Sequence, residues 1–133
     1  MINEFQGIGN VGSNPSLSSV EVENETRKVA NMRVYFDRPI GEDFQDKGGF
    51  WLTIDIWGFR AEEAARTLKK GARVYVSGTL REETWIDEST AEEKTQLRMR
   101  AEYFFVDTIC VDKIMYRNSK ESAPENNATQ GND

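Results

Sequence analysis

Hydrophobic and polar residues alternate in five segments of the chain, which is the pattern of β-strands with one buried face. The clearest segment is GGFWLTIDIWGF, residues Gly48–Phe59, in which Leu52, Ile54 and Ile56 share one face. The other face carries Trp51, Thr53, Asp55 and Trp57. A core accepts a carboxylate only when its charge is paired, so this second face is predicted to lie outside the core. Its tryptophans then serve a protein interface, are covered by another part of the chain, or form a stacking platform for a ligand.

The other strand segments are NEFQGIGNVG, VANMRVYFD, ARVYVSGTL and TQLRMRAEYFFV. Between the third and fourth segments, RAEEAARTLKKG places Ala61, Ala64, Ala65 and Leu68 at helical spacing, and Gly71 follows as a helix stop. The glycines at positions 7, 9 and 12 suit bends in a strand that joins two halves of a barrel, although a loop is the alternative. The order predicts an all-β protein with one short helix, an OB-fold built as a five-stranded Greek-key barrel.

The outward positions of these strands collect aromatic residues and arginines. The positions predicted to face inward are Met32, Val34, Phe36, Val74, Val76, Gly78, Leu80, Leu97, Met99 and Ala101. The positions predicted to face outward include Arg33, Tyr35, Arg73, Tyr75, Arg81, Arg98 and Arg100, with only Asp55 opposing the arginines. Single-stranded nucleic acid needs this composition, because bases stack on aromatic rings and phosphates need cations. The alternative is an ordinary solvated barrel exterior.

Composition limits the chemistry that the chain can perform. Its 133 residues include no histidine and one cysteine, so zinc sites and most nucleophile–base pairs lack their usual residues. We therefore predict no enzymatic activity, no catalytic residues, no metal and no cofactor. Cys110 lies in the apolar stretch VDTICVDKI and is predicted to be a small buried residue. The adjacent glutamate pairs at 62–63, 82–83 and 92–93 are predicted to be solvated surface.

Charge and tail composition set the domain organisation and the expected location. The formal net charge of −6 weighs against a nucleic-acid partner, but the carboxylates cluster in the helix, a hairpin loop and the tail.

Residues 1–115 are predicted to form one domain and residues 116–133 a disordered polar tail. The sequence has no apolar run long enough to span a membrane and no basic, apolar leader. No membrane association and a bacterial cytoplasmic, nucleoid-associated location are therefore expected.

Five strings, in order, resemble the bacterial single-stranded DNA-binding protein family: GNVGSNPSL, VANMRV, FWLTIDIWG, the helix end LKKG, and RVYVSGTLREETW. The resemblance covers Ile2 to about Val111. It implies an OB-fold protein that assembles as a homo-oligomer, commonly a tetramer, and wraps single-stranded DNA without strong sequence preference. By this resemblance, Trp51, Trp57 and Trp85 correspond to aromatic residues that stack on bases.

Three departures from the family pattern accompany the resemblance. A further family tryptophan, in the loop after VAN, has no match in register, and Tyr35, Phe36 or Phe44 are its candidate substitutes. The hairpin reads LREETW, with acidic residues where the family carries basic ones. The tail NSKESAPENNATQGND lacks the acidic run and apolar tip that dock replication and repair partners, so that role is not carried over.

The sequence thus predicts a non-enzymatic protein that binds and protects single-stranded DNA in replication, recombination or repair, and that forms a dimer or tetramer. Trp51, Trp57 and Trp85 are predicted to stack on bases, with Tyr35 also on the binding face. The predicted phosphate contacts are Arg33, Arg73, Arg81, Arg98 and Arg100. The alternative is a specialised relative, such as a primosomal replication protein or a mobile-element accessory protein, that serves mainly as a protein–protein adaptor.

Overall fold

A computed structural model of the chain describes residues 3–43, 45–46 and 48–118. The strands are β1 (Phe5–Val11), β2 (Ser16–Val22), β3 (Glu25–Phe36), β4 (Pro39–Ile40), β5 (Gln45–Asp46), β6 (Phe50–Trp57), β7 (Arg73–Asp87) and β8 (Glu92–Val106). Helix α1 (Phe59–Thr67) lies between β6 and β7, and a 3-10 turn covers Thr108–Cys110. The five predicted strand segments correspond to β1, β3, β6, β7 and β8.

The main sheet has the strand order β1-β7-β8-β6-β3-β2. Strand β1 also pairs with β3, through Asn10 with Tyr35 and Val11 with Val34. The first and fifth strands of this order are therefore joined as well. The β6–β8 pair is parallel and the other pairs are antiparallel. This is the predicted OB-fold arrangement, and the barrel is partly open at the seam because the β1–β3 ladder is short.

The core contains almost all of the residues that the alternation placed inside. The residues predicted to face inward that are buried include Met32, Val34, Phe36, Leu52, Ile54, Ile56, Val74, Val76, Met99 and Ala101. Helix α1 adds Ala61 and Ala64, Leu68 follows it into the core, and Ala65 is only partly buried. The helix ends at Thr67, and Gly71 follows with a φ of 93°. The predicted helix and the predicted inward parity of these strand positions are therefore confirmed.

Leu97 is a correction, because it was predicted to face inward and is 45% exposed. It pairs with Glu82 on β7. The parallel ladder with β6 begins only at the next residue, where Thr53 pairs with Arg98. Leu97 therefore lies where the β7–β8 hairpin projects beyond the barrel and no third strand covers it.

Two of the three glycines of the first segment, at positions 7 and 9, lie in a strand rather than in a loop, and Gly12 follows directly after β1. A Cβ at Gly9 would lie 2.6 Å from the backbone oxygen of Tyr35. Gly9 therefore permits the close approach of β1 to β3 at the seam. The prediction of one strand region joining two halves of the barrel agrees with the pairing of β1 to both β7 and β3.

Strand β2 was not predicted, and its sequence explains why. It pairs with β3 along its whole length, from Ser16 opposite Asn31 to Val22 opposite Glu25. The residues Ser16–Glu21 are all exposed, so β2 shows no alternation of buried and exposed positions. The turn that joins the two strands has positive φ at Glu23 (52°) and Asn24 (68°), as in a type I′ hairpin turn. Asn24 was the local signal for it.

Cys110 is a second correction, because it is exposed rather than buried. The 3-10 turn holds it at the surface after the last strand, where its thiol donates to the backbone oxygen of Asp107 at 3.0 Å. Its sulfur also accepts from the backbone N–H of Arg73 at 3.4 Å. Residues 111–118 carry no helix or strand. The predicted tail lies outside the described residues from position 119 onward, and the boundary after residue 115 stays a prediction.

Candidate nucleic-acid interface

The outward positions of β3, β6, β8 and β7 meet on one side of the barrel, called here the arginine–tryptophan face. Ladder pairing joins Tyr35 to Trp51, Arg33 to Thr53 and Asn31 to Asp55. It then joins Thr53 to Arg98, Asp55 to Arg100, Arg98 to Arg81 and Arg100 to Thr79. The predicted site residues that this face brings together are Arg33, Tyr35, Trp51, Trp57, Arg81, Arg98 and Arg100.

Trp51 is held in place and still half exposed, with 48% of its surface accessible. The guanidinium of Arg33 lies over its ring, with Cζ 5.0 Å from the centroid. The ring of Tyr35 lies 5.2 Å away at 55°, and the Tyr35 hydroxyl accepts from the Gly49 N–H at 2.9 Å. A Cβ at Gly12 would come within 2.5 Å of the indole, so the absence of a side chain there leaves room for the ring.

Trp57, at the far end of β6, has the same kind of neighbour. It is partly buried, and the guanidinium carbon of Arg100 lies 5.6 Å from its ring centroid. Among the described residues, neither Arg33 nor Arg100 forms an ion pair with a carboxylate. Both of these uncompensated charges therefore lie against an indole.

A buried carboxylate lies between the two tryptophans, and it corrects the prediction that Asp55 lies outside the core with the rest of its face. Asp55 is 4% exposed and accepts two hydrogen bonds from Arg98, from Nε to Oδ2 at 2.9 Å and from Nη2 to Oδ1 at 2.6 Å. Asn31 donates to Oδ1 at 2.5 Å, and Arg81 Nη1 lies 3.7 Å from Oδ2. The two-point Arg98 contact supplies the paired charge that a buried carboxylate requires.

The same arginine also contacts the hairpin. Arg98 Nη1 donates to Glu83 Oε1 at 3.1 Å, and Gln96 donates to the same oxygen at 3.2 Å. The contact with Asp55, and then that with Glu83, raises the pKa of Arg98. The hydrogen bonds from Gln96 and Arg98 lower the pKa of Glu83. The side chain of Arg98 is 19% exposed, so its charge is directed inward and its geometry does not favour the predicted phosphate contact.

The hairpin carries Trp85, which is 43% exposed and pairs with Lys94. Alternation along β7 places Trp85 on the same side as Glu83 and Arg81, and places Glu82 and Thr84 on the other side. The Thr84 and Thr95 hydroxyls are hydrogen-bonded at 3.2 Å. Of the predicted acidic pair, only Glu83 therefore shares a side with Trp85, and it is engaged by Arg98 rather than simply solvated.

Arg73 lies apart from the tryptophans, in the half of β7 that pairs with β1. Its Nη1 donates to Asn10 Oδ1 at 3.2 Å and lies 3.8 Å from Asp37 Oδ1. Asn10 in turn pairs with Tyr35 across the seam. Arg73 thus reaches only the Tyr35 edge of the arginine–tryptophan face, beside a carboxylate.

A second exposed surface was missed by the sequence analysis. It is called here the aromatic face and consists of Ile8, Tyr75, Tyr103 and Phe105. Ile8 is 49% exposed, Tyr103 48% and Phe105 57%. The rings of Tyr75 and Phe105 stack at 5.8 Å and 7°, and those of Tyr103 and Phe105 at 6.4 Å and 24°. Tyr75 also donates to Gln6 Oε1 at 2.8 Å.

A β-bulge explains why this surface was missed. Ser77 pairs with Tyr103 but Gly78 pairs with Ala101, so Glu102 is an extra residue in β8. One extra residue reverses which side chains point outward. Phe104 is consequently buried while Tyr103 and Phe105 are exposed. The signal available in the sequence was the run AEYFFV, in which three consecutive large aromatics cannot all share the core side.

Comparison with known proteins places the chain in a family. The sequence model of the single-strand binding protein family matches residues 2–107. The chain belongs to this family. The single-strand binding protein family is a family of binding proteins rather than enzymes, in agreement with the non-enzymatic prediction. The resemblance to this family is therefore confirmed.

The relatives of this family member are similar over different lengths. A single-stranded DNA-binding protein of Paenarthrobacter aurescens is 32% identical over 128 residues, covering 93% of this chain and 69% of that protein. Single-stranded DNA-binding protein 1 of Chlorobaculum tepidum is 28% identical over 122 residues, covering 86% and 64%. Its counterpart from Xylella fastidiosa is 31% identical over 88 residues, covering 65% and 63%. The chain thus spans less than two thirds of the last two relatives.

Within its described residues, the chain has no helix with the length and apolar character to cross a membrane.

Proposed function

We propose that the chain binds single-stranded DNA on the arginine–tryptophan face, without strong sequence preference, in replication, recombination or repair. The observation that carries the proposal is the repeated pairing of an accessible indole with an arginine that has no carboxylate partner among the described residues. Trp51 with Arg33 and Trp57 with Arg100 supply stacking surfaces and cations at two places on one face. The names of the relatives, which are single-stranded DNA-binding proteins, support the choice of ligand.

The energies favour an exchange of partners at each indole. An exposed cation–π contact contributes about 0.5 to 1 kcal/mol, whereas base–aromatic stacking contributes about 1 to 3 kcal/mol per base. A base can therefore displace the guanidinium from the ring. The freed arginine then meets the neighbouring phosphate, so stacking and charge pairing increase together. Trp85 extends the same stacking surface along the hairpin.

The arginines contribute unequally in this proposal. Arg33 and Arg100 make the main phosphate contacts, because no carboxylate of the described chain competes for them. Arg81 contributes less, since it lies near Asp55, and Arg73 less again, since it lies beside Asp37. Arg98 acts as a positioning residue that joins β6 to the hairpin carrying Trp85.

A fluorescence titration tests the proposal. Thymidine oligomers should quench the tryptophan emission at low salt, and duplex DNA should not, because stacking needs unpaired bases. Trp51→Ala and Trp57→Ala should each weaken binding about 5- to 150-fold, which corresponds to about 1 to 3 kcal/mol. Tyr116→Ala, which removes an exposed ring outside the face, is the matched control and should bind as the unchanged protein does. No quenching by any oligomer would refute the assignment.

We further propose that the aromatic face joins copies of the chain into a dimer or tetramer. It exposes a cluster of apolar side chains on β1, β7 and β8, and such clusters mark protein interfaces. In addition, β3 pairs with β1 only at Asn10 and Val11, which leaves the earlier part of that β1 edge open to pair with a second copy. Sedimentation should detect the oligomer at micromolar concentration.

The control for the oligomer uses two exposed apolar positions. Phe105→Glu should dissociate the oligomer, because it places a charge within the aromatic face. Leu97→Glu, on the hairpin, should leave the oligomer intact. A monomeric unchanged protein, or equal effects of the two substitutions, would contradict this part of the proposal.

The adaptor alternative is favoured by one observation, the capture of Arg98 by Asp55 and Glu83, which removes a cation from the face. The same titration separates the two functions, because an adaptor would show no quenching by oligomers. A cytoplasmic, nucleoid-associated location and partners in replication or repair follow from the DNA-binding proposal and remain predictions.

A further inference from the structure

A cleft of about 650 Å³ opens beside Trp57, where the start of β3 approaches the start of α1. Arg27 and Lys28 line it from β3, Phe59 and Glu62 from α1, and Arg100 from β8. Three cations therefore line the cleft against one carboxylate. Phe59, 49% exposed, adds an apolar surface.

A smaller cleft of about 290 Å³ borders the same tryptophan. Its lining consists of Trp57, Thr79, Arg81 and Arg100. The two clefts share Trp57 and Arg100, so the stacked indole and guanidinium form the wall between them. A polymer that crosses this wall enters both clefts.

Arg27 belongs to the same outward row of β3 as Arg33 and Asn31, because outward positions recur every second residue. It is two residues from Val29, which pairs with Trp57, and this spacing is about 7 Å along the strand at about 3.4 Å per residue. Arg27 is thus the next cation beyond Trp57 in that row.

The charges in the larger cleft are only weakly compensated. Arg27 is 48% exposed, and its carboxylate partner Glu25, at 3.6 Å, is 71% exposed. Exposed ion pairs of this kind contribute little and yield readily to another anion. Lys28 pairs with Glu62 at 3.2 Å, whereas Arg100 has no carboxylate partner in the described part of the chain. The cleft therefore suits an anion beside an aromatic ring.

We propose that this cleft is a further subsite for single-stranded DNA, in which the nucleotide next to the base on Trp57 places its phosphate between Arg27 and Arg100. The proposal rests on the proposed function. It extends the DNA path beyond the arginine–tryptophan face, from the smaller cleft over Trp57 to the start of β3. A nucleic-acid strand fits this path for two reasons. Its repeated phosphates complement the cations of the clefts, and its bases can stack on the indole that the two clefts share.

Arg27→Ala tests the subsite, and Arg66→Ala is its matched control. Arg66 is also an exposed arginine paired with a glutamate, Glu63, but it lies in the last turn of α1 and does not line the cleft. Affinity for a long thymidine oligomer is measured at several salt concentrations. The slope of log K against log salt should become shallower by about 0.7 in Arg27→Ala, because one phosphate contact is lost. It should be unchanged in Arg66→Ala.

Oligomer length supplies the second measurement. Arg27→Ala should bind a long oligomer several-fold more weakly, while a short oligomer that reaches only from Trp51 to Trp57 should bind as before. Unchanged long-oligomer affinity and slope in Arg27→Ala would overturn the subsite. An equal loss of slope in the two variants would also overturn it, since it would show a general effect of net charge. If the unchanged protein failed to bind any oligomer, the proposed function itself would fall.

Discussion

Asp55→Asn removes the charge at the centre of the arginine–tryptophan face while keeping the shape of the side chain. In the native structure, Arg98 makes two hydrogen bonds to Asp55, whose surface is 4% exposed. Removing one partner of a buried ion pair costs about 3 to 5 kcal/mol, because the other charge is left uncompensated. Arg98 keeps Glu83 and is 19% exposed, so we expect the lower end, about 3 kcal/mol.

Thermal and urea unfolding followed by circular dichroism measure this loss. A change of about 3 kcal/mol should lower the melting temperature by roughly 10 °C for a domain of this size. The double variant Asp55→Leu, Arg98→Met removes both charges and refills the space with apolar groups. Buried pairs replaced in this way are often neutral or more stable, so the double variant should melt close to the unchanged protein.

The two variants together decide the role of the charge pair. If Asp55→Asn unfolds within about 1 kcal/mol of the unchanged protein, Arg98 does not depend on that carboxylate. If the double variant is as unstable as the single one, packing rather than charge governs the site. On single-stranded DNA, Asp55→Asn should bind more tightly and with a steeper salt dependence, because Arg81 and Arg98 become available to phosphates.

The remaining predictions concern the hairpin, the tail and the cysteine. The pKa of the Glu83 carboxyl, followed by NMR, should lie below its ordinary value of 4.5. A carboxyl whose pKa is lowered in the folded state stabilises the fold at pH values above the unfolded-state pKa. This stabilisation should be lost as the pH falls through the folded-state pKa. Glu83→Gln should abolish that pH dependence, and a carboxyl that titrates normally would contradict the Arg98 and Gln96 contacts. Truncation after Tyr116 should leave the melting temperature and the DNA affinity nearly unchanged, and a large loss of either would show that the tail packs on the barrel. Cys110 should react with a thiol reagent in the native protein, since it is exposed; reaction only after denaturation would restore the prediction that it is buried.

The faces of the central strands could be predicted from the sequence because they depend only on the pleat. Leu52, Ile54 and Ile56 are buried and Trp51 is exposed, as alternation required. Strand β2 could not be found in this way, because its residues Ser16–Glu21 are all exposed and show no alternation of buried and exposed positions. Local patterns therefore predict strands that bury one face and miss strands that bury none.

The partners of the charged residues could not be predicted from the sequence. Asp55 meets Arg98 only because β6 and β8 run parallel in a register that pairs Thr53 with Arg98. Residues 43 positions apart then share a hydrogen bond. Both arginines on the outward side of β8 looked equivalent in the alternation, yet Arg98 pairs with a buried carboxylate and Arg100 stacks on Trp57. Register, which is a property of the whole sheet, makes this distinction.

The extra residue in β8 has a consequence for how surface changes can accumulate in this chain. Before Glu102, the outward side chains of β8 belong to the arginine–tryptophan face, and after it they belong to the aromatic face. A substitution at Arg100 and one at Phe105 therefore alter separate surfaces of one strand and can be selected separately. Deleting Glu102 would disturb neither surface, because it would remove the bulge and leave Ala101 and Phe104 two positions apart. Regular alternation would then keep Phe104 toward the core and Tyr103 and Phe105 toward solvent, so the extra residue can be lost without exchanging interior for exterior.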